Sequence, residues 1–150
     1  MNNTIINLTM TITQGFEISK TSYEADANLL EKDGKFFLFF DEENYDDHEI
    51  TKCRFEISDD SLRMRRNGPI VMEQTHINGE ETSGYIKTPF GHVNTKLQTS
   101  QFSFTRQTNG NYHLDLGYDL YTDGEKTGCY LLEIIIETLG VRNLSLTRNA

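Results

Sequence analysis

"YHLDLGYDLYTDGEKTGCYLLEIIIET", residues 112–138, is the stretch whose reading decides the fold. Its first part sets Tyr112, Leu114, Leu116, Tyr118 and Leu120 on one side, with His113, Asp115 and Asp119 on the other. Its last part sets Tyr130, Leu132, Ile134 and Ile136 on one side, with Glu133 and Glu137 opposite. Side chains alternate faces along a strand but wind every 3.6 residues around a helix, so a strict period of two collects the apolar residues only if both parts are strands. Between them lies Asp123-Gly124, a pair that supplies the left-handed residues of a tight hairpin. The stretch therefore reads as two antiparallel strands, each with one face to bury.

The same signature extends to the rest of the chain. Ile6, Leu8, Met10 and Ile12 alternate with Asn7, Thr9, Thr11 and Thr13, and Cys53, Phe55 and Ile57 share a face in "KCRFEIS". Asp33-Gly34, Asn67-Gly68, Asn78-Gly79 and Asn109-Gly110 mark further turns. Tyr23 to Glu31 has a short helical pattern but runs directly into Asp33-Gly34, and it reads as strand or loop. Parity of the hairpins predicts odd loops at two turns. A loop through Pro69 pairs Met64 with Met72, Arg66 with Ile70 and Arg63 with Glu73, and places Arg66 and Gln74 on the inward face. The Asn109-Gly110 turn brings Phe102 and Phe104 opposite Leu114 and Leu116. His92 to Arg106 reads as one long strand whose inward register changes between Leu97 and Phe102, as a bulge causes.

Eight to ten such strands, with no helix to cover their apolar faces, must pack sheet on sheet or close on themselves, and closure also removes exposed edges. The expected fold is all-β: one domain spanning residues 1–150, a single antiparallel meander barrel, with a two-sheet sandwich as the alternative.

Charge and composition bound the function. A net charge of -9 argues against nucleic acid or an anionic membrane as a partner, since both repel an acidic protein. The start, "MNNTIINLTMTITQ", shows neither the basic segment nor the apolar run of an export signal. Cys53 and Cys129 then read as reduced, buried thiols of a cytoplasmic protein. His48, His76, His92 and His113 lack ligand spacing with either cysteine, and "DEENYDD" lacks that of a calcium loop, so no metal or other cofactor is expected. Asp115 and Asp119 lie about 13 Å apart on an outer strand face, too far for a carboxylate dyad. No nucleophile elbow, P-loop or dinucleotide fingerprint is present, and no catalytic residue is assigned.

Three segments carry a resemblance: "LRMRRNG" (62–68), "GYIKTPFGHVNTKLQT" (84–99) and "GNYHLDLGYDL" (110–120), with "FFDEE" (39–43) preceding an acidic loop. In that order they resemble the YwiB-like bacterial family, small proteins of unknown function with a calycin-like, that is lipocalin-like, β-barrel. The matching pieces are Arg66 before Gly68, the Tyr85, Thr88, Pro89, Gly91 corner, and Leu116, Tyr118, Leu120; coverage runs from about Phe36 to Glu137. The resemblance implies a barrel and a cytoplasmic bacterial setting. It carries no catalytic residues over.

Within that frame Arg66 is the first candidate, because an inward guanidinium must find a carboxylate, carbonyls, water or a ligand anion. Glu42 and Glu43 are its plausible internal partners, and an ion pair closing one barrel end is the structural alternative to a ligand site. Thr88-Pro89-Phe90-Gly91 supplies a strand-to-strand corner, with Tyr85 and Phe90 plugging the barrel end or gating a mouth. The inward aromatics Phe102, Phe104, Tyr112, Tyr118 and Tyr130 supply walls or simply fill the interior. The candidate ligand site is Arg66, Glu43, Tyr85, Thr88, Phe102 and Tyr118, in a modest pocket bounded by Arg66, Tyr85 and Tyr118. The leading function is a non-catalytic barrel binding a small apolar or amphipathic molecule, or an anionic one at Arg66. The alternatives are an interaction module with a filled barrel, dimerising through an uncovered strand, and an enzyme acting at the barrel mouth.

Overall fold

In a computed structural model describing residues 2–44 and 46–139, ten strands follow one another in the chain: β1 Thr4–Gln14, β2 Glu17–Lys32, β3 Lys35–Glu43, β4 Ile50–Ile57, β5 Ser61–Asn67, β6 Val71–Ile77, β7 Glu81–Thr88, β8 Gly91–Arg106, β9 Tyr112–Thr122 and β10 Glu125–Thr138. Each pairs antiparallel with its sequence neighbours, and β1 also pairs with β10, so the meander closes into a barrel and the sandwich is excluded. The segment from Tyr23 to Glu31 lies in β2, where Tyr23, Ala25 and Ala27 face inward and Glu24 and Asp26 outward. Ladder pairing on β1 overrides its weak helical pattern.

Turn chemistry sets the register. Asp33 and Gly34 have φ of 54° and 78°, and Asp123 and Gly124 have 51° and 78°, the paired positive dihedrals of a two-residue type I′ hairpin. The turn at Asn109-Gly110 is odd, and Phe102 and Phe104 stand opposite Leu116 and Leu114. In β8 the register shifts between Thr99 and Gln101; Ser100 is the extra residue, and the inward set passes from Leu97 and Thr99 to Phe102 and Phe104.

The hairpin through Pro69 departs from its expected pairing by two residues. Its loop is odd, but Asn67 stays in the ladder and residues 68–70 form the loop, so Arg66 opposes Met72 and Met64 opposes Gln74. Ile70 is therefore in the loop and 53% exposed, not inward. Arg63 still reaches Glu73, diagonally, through Nη2 at 2.6 Å.

The core runs along the barrel axis. Ile6, Leu38, Leu62, Leu97, Leu114, Leu116, Ile134 and Ile136 are fully buried, each contributing about 1.5–3 kcal/mol relative to exposure. One polar layer crosses it: His76 is buried with Nδ1 2.9 Å from Thr99 Oγ1 and Nε2 3.0 Å from Gln74 Oε1, and its ring centre lies 4.5 Å from that of Tyr118. Burial drives the His76 imidazole down to about 4, so it is neutral at physiological pH. Its two neighbours can accept from either nitrogen, so desolvation alone opposes its charge.

Cys53 and Cys129 are both free thiols. Cys53 is buried and inward; Cys129, opposite Asp119 and Thr13, is half-buried on the outer face, which corrects the expectation that both are core residues. Among the described residues no helix is long and apolar enough to cross a membrane.

Candidate functional site

The site follows from where β2 and β3 part. β2 is 16 residues long, yet it pairs with β3 only from Ala27 to Lys32. Beyond Phe40, the residues Asp41, Glu42 and Glu43 are laddered to β4 alone. The divergence opens a slit into the interior, and Tyr23 from β2 spans it to Glu42 on β3. Behind the slit is a cavity of about 200 Å³. Leu8, Met10, Phe40, Phe55, Met64 and Leu132 are its apolar lining, and Thr21, Tyr23, Glu42, Cys53 and Arg66 its polar lining.

Glu42 organises the polar lining. Its Oε1 accepts from Arg66 Nη2 and lies 3.5 Å from Cys53 Sγ, while its Oε2 accepts from the Tyr23 hydroxyl. Period two explains the convergence. Phe36, Leu38, Phe40 and Glu42 share the inward face of β3, Cys53 is Phe40's partner on β4, and Arg66 is Cys53's partner on β5. Burial, reinforced by the Glu42 carboxylate, pushes the Cys53 thiol up to about 12 and the Tyr23 phenol above its ordinary value. Both stay protonated, as donors.

A second hollow of about 230 Å³ also borders Arg66, lined by Asn44 and Glu49 of the β3–β4 connection, Pro69 and Ile70 of the β5–β6 connection, Thr51 of β4 and Met72 of β6. Arg66 is the residue common to both spaces. Its side chain is 39% exposed and that of Glu42 21%, so the pair is half-solvated and stands at the doorway between them.

Of the six residues predicted as a ligand site, only Arg66 lines this cavity. Glu43 alternates to the outer face, 63% exposed, with His48 Nδ1 at 3.1 Å from its Oε1; the partner of Arg66 is Glu42. Tyr85 opposes Glu73 on the outer face, donates to its Oε2 at 3.2 Å, and stacks on His92 with centroids 5.3 Å apart. Thr88 belongs to the corner: its Oγ1 accepts from the Phe90 N–H at 3.1 Å and donates to the Gly91 carbonyl at 3.3 Å. Phe90 is 99% exposed and plugs nothing. Tyr118 and Phe102 are core residues, Tyr118 stacked on Tyr130 with centroids 5.1 Å apart. The pocket expected between Arg66, Tyr85 and Tyr118 is thus replaced by one between Arg66, Glu42 and Tyr23.

Sequence reasoning missed Tyr23 because its segment had no assigned face. Alternation from Ala27 back along β2 is the signal that places it inward. It also missed an outer cluster that sequence spacing does not show. Glu133 lies directly across from Asp115, and His113 Nε2 is 3.1 Å from Glu133 Oε2 and 3.5 Å from Asp115 Oδ2. These three donor atoms lie within 4.8 Å of one another on the wall, away from the cavity.

Comparison with known proteins agrees with this architecture. No curated protein matches the chain. The crystal structure of the ywiB protein from Bacillus subtilis superposes with a TM-score of 0.79 over 91% of this chain and 92% of that one, at 18% identity, a likeness of fold. Glu42 and Arg66 fall within residues 6–134, which match one family model, and the chain belongs to that family, described as a domain of unknown function (DUF1934).

Proposed function

We propose that the chain is a non-catalytic barrel that holds one small amphipathic molecule in the slit cavity, its apolar part against Leu8, Phe40, Phe55 and Leu132. The observation that carries this reading is the make-up of the cavity wall: six apolar side chains together with Tyr23, Cys53 and Arg66 gathered around the Glu42 carboxylate. Binding sites combine an apolar lining with a few convergent polar groups in this way. Glu42 already balances Arg66, so the best-fitting head both donates and accepts, as an alcohol or amide does; an anionic head must displace Glu42 from the guanidinium. At about 200 Å³ the space suits a fragment-sized ligand rather than the large ligand of an open cup.

Two observations favour binding over catalysis. The Cys53 thiol, pushed up to about 12, is not an activated nucleophile, and Tyr23 is shifted away from acid–base work at neutral pH. The cytoplasm is the setting that goes with this reading, two free thiols being ordinary there.

The test is a thermal-shift screen of short-chain alcohols, amides, carboxylates and phosphates. A compound at a hundred times its dissociation constant stabilises by about 2.7 kcal/mol. Arg66→Met weakens that response while Tyr85→Phe leaves it unchanged. A screen in which no class of compound moves the transition refutes the proposal.

A further inference from the structure

The outer wall of the barrel carries polar chemistry of its own where β9 meets β10. Period two puts His113 and Asp115 on one face of β9, and the ladder sets Glu133 of β10 directly across from Asp115. Like charges directly opposed weaken a sheet. Nothing basic flanks them to offset this. The ladder partners on β8 are Ser103 and Thr105, and beyond β10 the partners on β1 are Asn7 and Thr9. Among the described residues neither carboxylate pairs with a lysine or an arginine. His113 thus brings at most one positive charge to two carboxylates.

One atom of each side chain converges on a common point. His113 Nε2 lies 3.1 Å from Glu133 Oε2 and 3.5 Å from Asp115 Oδ2, and the three atoms are all within 4.8 Å of one another. A single imidazole N–H can bond only one of these oxygens, and the hydrogen-bonded one is Glu133 Oε2. A tetrahedral zinc ion serves all three. Its nitrogen and oxygen ligands sit about 2.0–2.1 Å from the metal, and so about 3.3–3.4 Å from each other. The two edges through His113 already match that spacing to within roughly 0.3 Å. The third edge, no longer than 4.8 Å, closes by a swing of the Glu133 side chain, which is 51% exposed.

We propose that His113, Asp115 and Glu133 bind a zinc ion on the outer wall of the barrel. An imidazole beside two carboxylates suits zinc, whereas magnesium and calcium take oxygen ligands alone. The two negative charges balance the ion, and three protein ligands leave a fourth position for water. The ligands stand on paired strands rather than on a loop, so the ladder holds their spacing. The site shares no residue with the slit cavity, and it stands or falls separately from ligand binding there.

Calorimetric titration of zinc chloride into the chelator-treated full chain tests it. The wild type is expected to bind zinc saturably, with a dissociation constant below about 100 µM. His113→Gln and Glu133→Gln each weaken binding by roughly tenfold or more, since each removes a ligand. Glu133 is exposed enough for its substitution to spare the fold, and circular dichroism confirms the barrel in each variant. His48→Gln, which alters the separate surface contact with Glu43, leaves binding unchanged. A wild type with no saturable uptake up to about 100 µM zinc overturns the proposal. So does binding that either His113→Gln or Glu133→Gln leaves unchanged, or binding that His48→Gln abolishes.

Discussion

Acidification exposes the cost of the buried polar layer. His76 is fully buried and its imidazole is driven by desolvation to about 4, against 6.5 in an unfolded chain. Above pH 6.5 neither state holds the proton and the difference is silent. As the pH falls below 6.5 the unfolded state takes up a proton that the folded state refuses, so stability is lost, and the loss is complete only below about pH 4. A difference of about 2.5 units corresponds to roughly 3 kcal/mol in all, of which about 2.5 has gone by pH 4.5. Urea denaturation at a series of pH values from about 7.5 to 4.5 measures it, with His76→Leu as the reference. The variant is less stable at pH 7.5, because Gln74 Oε1 and Thr99 Oγ1 lose their partner. Its pH dependence is shallower than that of the wild type, since the chain's carboxylates titrate alike in both and cancel in the difference. Equal slopes, or a histidine resonance of the folded protein titrating near 6.5 and assigned to His76, would show that His76 is not buried neutral.

Three further outcomes follow from local geometry. A Cβ built on Gly84 meets the Glu73 carbonyl oxygen at 2.4 Å and Thr95 Oγ1 at 3.0 Å, so Gly84→Ala costs roughly 2–4 kcal/mol in urea unfolding, despite the entropy that alanine saves in the unfolded chain. Arg66→Ala costs about 1–2 kcal/mol rather than the 3–5 of a buried pair, because its side chain is 39% exposed and that of Glu42 21%, and salt shrinks the difference. A thiol reagent at pH 8 labels Cys129 well before Cys53, whose thiol is buried and pushed up to about 12; equal rates in the folded protein contradict this placement.

The fold was legible because the apolar alternation is nearly unbroken and the turns are chemically explicit. From "YHLDLGYDLY" and Asp123-Gly124 one obtains the faces of β9 and β10, and the register change in β8 appears as two apolar sets out of phase. The site was legible only in part, for a physical reason: face is local, but neighbours across a sheet depend on loop lengths. Moving the Pro69 loop by one residue at each end shifted every partner in the β5–β6 pair by two and turned Ile70 from a core residue into a loop residue. Choosing between Glu42 and Glu43 required the parity of β3, which Phe36, Leu38 and Phe40 already display. Tyr85 was placed inward without a register for β6–β7, and its partner Glu73 shows the opposite face. The slit itself has no sequence signature. It exists because β2 outruns its pairing with β3.

The claim that the cavity binds a ligand is tested most directly by labelling the methionine methyl groups with carbon-13 and titrating a compound from the screen by NMR. Met10 and Met64 line the cavity, whereas Met72 lines the second hollow that borders Arg66. A ligand held in the cavity gives saturable shifts of the Met10 and Met64 methyls at a common affinity, with Met72 moving less. Shifts confined to Met72, or no shift at Met10 and Met64 with a compound that stabilises the protein, would contradict it.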